Sequence, residues 1–224
     1  MPVTKKLNKD FFKKWSSEMA YILGFYAADG YITKNKRGAY FFCLEINDGH
    51  LIRKIRKVLG SNHKISRRAG DVRRKNSFRL QIGSKELCND VLSLGFAIKK
   101  THKLLLPNIP SHLFLHFVRG YFDGDGNVWV GKVHKDRKTS HLAIQTVFTS
   151  CSKAFLEDLR EALLKYGIKG GLYCQSTYYR LYYSIHSSIK LYELMYSDLD
   201  STLFLPRKKN VYKRFLKKRN KLRP

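Results

Sequence analysis

Phe117-Val118-Arg119-Gly120-Tyr121-Phe122-Asp123-Gly124-Asp125-Gly126-Asn127 decides how this chain is read, because its frame already stands 96 positions earlier, in Tyr21-Ile22-Leu23-Gly24-Phe25-Tyr26-Ala27-Ala28-Asp29-Gly30-Tyr31. Each copy runs through apolar residues, a glycine, two bulky residues, and then a small residue followed by Asp-Gly. Gly24 and Ala28, like Gly120 and Gly124, stand four apart, so in a helix they share one face. Such a face lets a second helix approach until the backbones nearly touch. The Asp-Gly then falls at the helix end, where glycine accepts a left-handed C-terminal conformation. A carboxylate there is on the wrong side of the helix macrodipole. Two such helices packed together add repulsion between Asp29 and Asp125. A divalent cation between them resolves both conflicts. One Asp-Gly alone reads as an ordinary turn; two in matched contexts do not.

Lys and Arg outnumber Asp and Glu by 44 to 17, a formal net charge of +27 spread over 224 residues. Charge of that size argues for a polyanionic partner, most simply nucleic acid. Membrane-surface binding is the competing reading, but 43% hydrophobic and 13% aromatic residues describe a folded core. No apolar run approaches the roughly 18 residues that span a bilayer. Met1-Pro2-Val3-Thr4-Lys5-Lys6 lacks the apolar centre of a signal peptide. The expectation is a soluble intracellular protein with no membrane partner, cytoplasm and organelle matrix being indistinguishable. Cys43, Cys88, Cys151 and Cys174 are dispersed without a C-x-x-C pair, which argues against zinc and disulfide frameworks. Asp123-x-Asp125-x-Asn127 starts like an EF-hand loop, but Val128 stands where glycine is needed and His134 where glutamate is needed.

The rest of the chain repeats around the two motifs. Residues 1–17 form a basic arm carrying Phe11, Phe12 and Trp15. Ser16-Ser17-Glu18 offers an N-cap for a helix over 18–29. A strand through Ala39–Ile46 pairs with Tyr31-Ile32-Thr33 across a basic loop. Leu51, Ile52, Ile55, Val58 and Leu59 give a helix ending at Gly60. Lys64–Arg68 and Ser77–Ile82 form a hairpin around the charged tip Gly70–Asn76, and a helix over Ser84–Leu94 stops at Gly95. After a linker with Pro107 and Pro110, a second motif helix starts near Ser111 and the order recurs. Strands are predicted at Asn127–Val133 and Leu142–Phe148, and a helix over Lys153–Tyr166 ends at Gly167. Strands at Leu172–Gln175 and Tyr178–Ile185 follow, then a helix over Ser188–Tyr196. Phe78-Arg79-Leu80 answers Tyr179-Arg180-Leu181. The pattern is a tandem duplication: half-domains at 18–110 and 111–208, and a basic C-terminal tail at 209–224.

Ile22-Leu23-Gly24-Phe25-Tyr26-Ala27-Ala28-Asp29-Gly30 and Val118-Arg119-Gly120-Tyr121-Phe122-Asp123-Gly124-Asp125-Gly126 resemble the signature of the LAGLIDADG family, monomeric two-motif type. The likeness covers about residues 18–215. It implies an α+β fold: two pseudo-symmetric αββαββα half-domains packed through the motif helices, with curved antiparallel sheets forming a saddle on DNA. It implies a homing endonuclease that hydrolyses both strands of a long, non-palindromic target and leaves short 3′ overhangs. By the same resemblance Asp29 and Asp125 are metal ligands and catalytic residues, with the carbonyls of Ala28 and Gly124 completing the coordination. Oxygen-only donors suit Mg²⁺, and Mn²⁺ or Ca²⁺ suits the same sites. Lys100, in Lys99-Lys100-Thr101, and Lys208, in Arg207-Lys208-Lys209, match the basic residue of each half's pocket; a solvated surface charge is the competing reading for both. Asp48 and Ser150 match a polar position near the family's water network, although an Asp-Gly turn also accounts for Asp48. Ala27 departs from the signature where the second copy has Asp123, which predicts weaker hydrogen bonding at the first helix end.

Strand alternation divides core from groove. Ile32, Phe42, Leu44, Ile46, Phe78, Leu80 and Ile82 point inward. Thr33, Asn35, Arg37, Glu45, Ser66, Arg68, Arg79 and Gln81 then face DNA, with Asn127, Trp129, His141, Gln145, Gln175, Tyr178, Arg180 and Tyr182 in the second half. Such side chains read base edges, while surplus lysine meets phosphate; any solvent-facing strand carries a similar mixture. Two other functions share the fold: a maturase that helps splice its host intron RNA, and a DNA-binding regulator that has lost catalysis. Retention of both Asp29 and Asp125 argues against the regulator.

Overall fold

Ser16 starts the first helix by accepting the Met19 amide at 3.1 Å, and the helix runs unbroken over Ser17–Asp29 (α1). A computed structural model describes residues 5–70, 76–98, 100–133, 141–197 and 203–221. The expected charged tip at 71–75, together with Lys99, His134 and residues 222–224 of the tail, lies outside the described residues. Strands Gly30–Lys34 (β1) and Tyr40–Ile46 (β2) follow α1, then helix Gly49–Val58 (α2), strands Ile65–Arg68 (β3) and Ser77–Gly83 (β4), and helix Lys85–Ser93 (α3). The order repeats as Phe114–Asp125 (α4), Gly126–Val133 (β5), His141–Ser150 (β6), Lys153–Leu164 (α5), Gly171–Gln175 (β7), Tyr178–Tyr183 (β8) and Ile185–Tyr196 (α6), with a last helix at Pro206–Lys221 (α7). Each half is αββαββα.

Each sheet is antiparallel and four-stranded, in the orders β1-β2-β4-β3 and β5-β6-β8-β7. The registers are equivalent: Gly30 pairs with Leu44 and Gly126 with Phe148, while Glu45 opposes Arg79 and Thr149 opposes Arg180. Ile32, Phe42, Leu44, Ile46, Leu80 and Ile82 are buried as alternation requires, and Phe78 packs against the same core. The motif helices are the centre of that core: Met19 through Ala27 and Phe117 through Asp123 are buried without a break. No helix among the described residues is long and apolar enough to cross a membrane.

Three expectations change. Gly30 (φ −91°) and Gly126 (φ −82°) end the motif helices in extended backbone, not in the left-handed conformation. The chain passes straight from helix into strand, and glycine is needed for space. A Cβ at Gly30 would lie 2.1 Å from the Tyr26 ring, and one at Gly126 would lie 2.3 Å from the Phe122 ring. Left-handed glycines close α2, α3 and α5 instead, at Gly60, Gly95 and Gly167. Second, β8 stops at Tyr183 and α6 begins at Ile185, where a strand was expected; the Ser184 carbonyl takes the Ser188 amide at 2.8 Å. Third, the basic tail, expected as a helix or an arm, is helical and begins before its expected bound. The division expected at 208/209 falls inside α7, which buries Lys208, Tyr212 and Phe215. At the other end Phe12 is in the core, and the Asn8 amide bonds the Leu59 carbonyl.

Candidate active site and nucleic-acid face

α1 and α4 meet where neither has a side chain. A Cβ built on Gly24 would lie 2.0 Å from the Phe117 carbonyl oxygen, and one on Gly120 would lie 2.0 Å from the Tyr21 oxygen. The contact is reciprocal and backbone to backbone. One turn further on, Gly124 faces Ala28, with the Asp29 carboxylate 3.1 Å from where a Gly124 Cβ would be. The crossing therefore carries Asp29 of one half against the helix end of the other.

Both carboxyls are unsettled as anions. Burial, and then the neighbouring Asp125, pushes Asp29 up to about 7, opposed by Lys208, Lys100 and Arg207. Asp125 is exposed, but the protein packed around its carboxyl raises it as well, opposed first by Lys100 and then by Lys208. Each carboxyl thus feels the other half's lysine more strongly than its own.

Lys100 and Lys208 are buried, and each ammonium caps the C-terminus of its own half's motif helix. Lys100 Nζ donates to the carbonyls of Ala27 at 2.6 Å and Ala28 at 3.1 Å. Lys208 Nζ donates to Asp123 at 2.8 Å, Gly124 at 3.2 Å and Gly126 at 2.6 Å, and also to Phe122. A cation there complements the macrodipole. Burial brings both ammoniums down to about 8 against the pull of the aspartates. The Ala28 and Gly124 carbonyls accept the longest bond of each set, so the oxygens matched to metal coordination already face a positive charge. A cavity of about 720 Å³ beside this point is lined by Asp29, Tyr31, Lys100 and His102. Among the described residues no three His, Cys, Asp or Glu side chains gather as a metal cluster. The donors that do converge are two carboxylates and helix-end carbonyls, a set of hard oxygens that fits Mg²⁺, Mn²⁺ or Ca²⁺.

Asp48 and Ser150 are not counterparts. The registers align Asp48 with Ser152, and both are N-caps: Asp48 accepts the His50 and Leu51 amides, and Ser152 accepts the Phe155 amide. Ser150 lies two residues earlier, in β6, and accepts the Ser152 amide. Counting from strand ends misaligned them because β6 runs to 150 while β2 stops at 46.

The register gathers Thr33, Glu45, Ser66, Arg68, Arg79 and Gln81 on one face of the first sheet. Glu45 is partly committed within that face, accepting Ser77 Oγ at 2.6 Å and pairing with Arg68 at 3.4 Å. Asn35 and Arg37 lie in the β1–β2 turn; the Asn35 side-chain oxygen Oδ1 accepts the amides of Arg37 and Ala39, while Arg37 is exposed. Asn127, Trp129, His141, Gln145, Gln175, Tyr178, Arg180 and Tyr182 share the equivalent face of the second sheet. Part of it encloses about 340 Å³ between Asn127, Trp129, Gln145, Val147, Thr149, Arg180 and Tyr182. Sequence reading missed Tyr31, Val147, Thr149 and Tyr173 on these faces, although alternation alone selects them.

It also missed a buried polar network behind α4. Asp123 accepts the Tyr21 hydroxyl at 2.7 Å and the Leu205 amide at 2.8 Å. Arg119 donates to the carbonyls of Met195 at 2.8 Å and Leu203 at 3.2 Å. The signal was an arginine on a helix face buried all round, where the first copy has Leu23.

A family model described as the LAGLIDADG-like domain matches residues 16–94 and, a second time, residues 114–197. Three solved structures share the fold. I-DmoI in complex with DNA and Ca gives a TM-score of 0.60 at 18% identity, covering 87% of this chain and 96% of that one. The meganuclease I-AabMI bound to uncleaved DNA gives 0.63 at 16%, covering 93% and 91%. The homing endonuclease I-WcaI bound to its DNA recognition sequence gives 0.60 at 19%, covering 90% of each. A curated relative, the replication factor C small subunit of Methanocaldococcus jannaschii, is 27% identical over 160 residues, which are 69% of this chain and 8% of that protein's length.

Proposed function

Because the chain belongs to the LAGLIDADG-like domain family, we propose that it is a divalent-metal-dependent endonuclease that cuts both strands of a long, non-palindromic DNA site. One observation carries this reading: Asp29 and Asp125 sit at a helix crossing that destabilises both as free anions, with oxygen donors around them. A pure binding protein gains nothing from such a pair. Asp29 and Asp125 would hold the ion, with the Ala28 and Gly124 carbonyls beside them. When bound, such an ion supplies a water of lowered pKa and neutralises the leaving oxygen. The chain's own residues do the rest. Lys100 and Lys208, brought down to about 8, stay mostly protonated at pH 7 and hold positive charge where phosphate charge builds. The two sheet faces track the groove, and their different side chains make the two half-sites different. Two similar structures, I-WcaI bound to its DNA recognition sequence and I-DmoI in complex with DNA and Ca, support the same substrate and ion class.

Asp125→Asn tests this directly. Cleavage of at least one strand should be lost while duplex affinity stays within about threefold, read by strand-specific end-labelling and anisotropy. Full double-strand cutting by the variant would sink the metal assignment.

A further inference from the structure

Lys208 is held in place by more than its own bonds. Leu205, immediately before α7, offers its carbonyl to the first amides of that helix, Lys208 at 3.1 Å and Lys209 at 3.2 Å. Its amide is in turn fixed by the Asp123 carboxylate, whose same oxygen accepts the hydroxyl of Tyr21 on α1. Arg119, one turn back on α4, holds the Leu203 carbonyl and the end of α6 at Met195, and its remaining nitrogen meets His116 Nδ1 at 2.9 Å. Asp123 and Arg119 are each 1% exposed, so these bonds form away from water, where losing one leaves an unsatisfied group. The first half has Ala27 and Leu23 at the corresponding places, neither able to accept or donate through its side chain. There the lysine sits on a turn, with Lys103 amide to Lys100 carbonyl at 2.9 Å, and reaches two carbonyls where Lys208 reaches four.

We propose that Asp123 is a positioning residue that clamps the Leu203–Leu205 segment and so sets Lys208 over the site, making the cleavage of one DNA strand depend on a device the other strand's chemistry does not use. The proposal rests on the endonuclease reading for its activity arm and on the hydrogen-bond network for its physical arm. The two arms can fail separately.

The full chain is assayed on a duplex that the wild type cuts, with each strand labelled in turn under single-turnover conditions. Asp123→Ala should slow one strand ~10-fold or more, the same strand that Lys208→Met slows, with the other strand and duplex affinity unchanged. Lys100→Met should slow the opposite strand. Asp123→Asn, which keeps an acceptor oxygen, should recover most of the rate. Tyr21→Phe, which removes one of the two bonds and no volume of consequence, should give a smaller loss on that same strand and serves if Asp123→Ala does not fold. Equal slowing of both strands, or of neither, overturns the clamp. Hydrogen exchange of the metal-free proteins needs no cleavage: the Leu205 and Lys208 amides should exchange faster in Asp123→Ala or Tyr21→Phe than in wild type. Unchanged protection there overturns the proposal, and a wild type that cuts no duplex overturns the endonuclease reading while leaving this measurement intact.

Discussion

Asp29 makes the protein less stable when it ionises. Its carboxyl titrates near 7 in the fold against 3.8 for an ordinary aspartate, chiefly through burial and then through Asp125. The folded state therefore binds the proton more tightly, and stability declines as pH rises from about 4 to 7, by at most on the order of 4 kcal/mol from this group. Asp123, raised to about 6, adds to the same slope. The lysines act in another window: lowered to about 8, they contribute a stability that rises between about 8 and 10.5. Thermal melts of the metal-free protein from pH 4 to 8 should show a falling Tm that Asp29→Asn flattens. Added Ca²⁺ should raise Tm at pH 8 in wild type and much less in Asp29→Asn. Asp29 and Asp125 were legible in the sequence because the small-residue spacing and the Asp-Gly recur. Asp123 was not, because its partner Leu205 is 82 positions away and contributes only a backbone amide. The lysines were picked out by the family resemblance, while their capping of helix ends was not foreseen. The Ala27 end is bonded less than its counterpart, as expected: Lys100 reaches two carbonyls there, where Lys208 reaches four and Asp123 accepts two further bonds.

At the scale of elements, the helix pair admits no side chain at its crossing. Gly120→Ala would place a methyl 2.0 Å from the Tyr21 oxygen and 2.9 Å from the Phe25 amide nitrogen, backbone atoms that can move only if the helices part. The variant should lose about 3 kcal/mol or more, measured by urea denaturation, and the same holds for Gly24→Ala. The order of helices and strands was legible because the hydrophobic period switches from helical to alternating at each boundary. The end of β8 was not, since Tyr183-Ser184-Ile185 continues the apolar–polar alternation of a strand through the change of conformation. Nor was the role of Gly30 and Gly126: sequence names the residue, while only the neighbouring Tyr26 and Phe122 rings say that space, not dihedral freedom, requires it. The packing of α7 was hidden by its charges, because Tyr212 and Phe215 stand in a helix with nine basic residues.

The whole molecule is a strongly basic body with a net charge of +27 and two sheets whose polar faces differ residue by residue. Binding that neutralises several phosphates should weaken steeply with salt, with log affinity falling linearly in log salt at a slope of several units. A titration by anisotropy between 50 and 200 mM salt, roughly 10³-fold for six phosphate contacts, checks this. The backbone-to-backbone crossing of α1 and α4 has a consequence for timing. Its two sides are separated by an entire half-domain, so the chain must close a loop of roughly ninety residues to make it, a slow, non-local step. Local hairpins and helices of the first half form without it. During synthesis the first half emerges with Asp29 alone; the second carboxylate joins it only when α4 docks, and Lys208 only after α7 has cleared the ribosome. The chain thus completes the candidate site in the order of its fold, and a half-made molecule in the cell carries one carboxylate and one lysine of the two pairs.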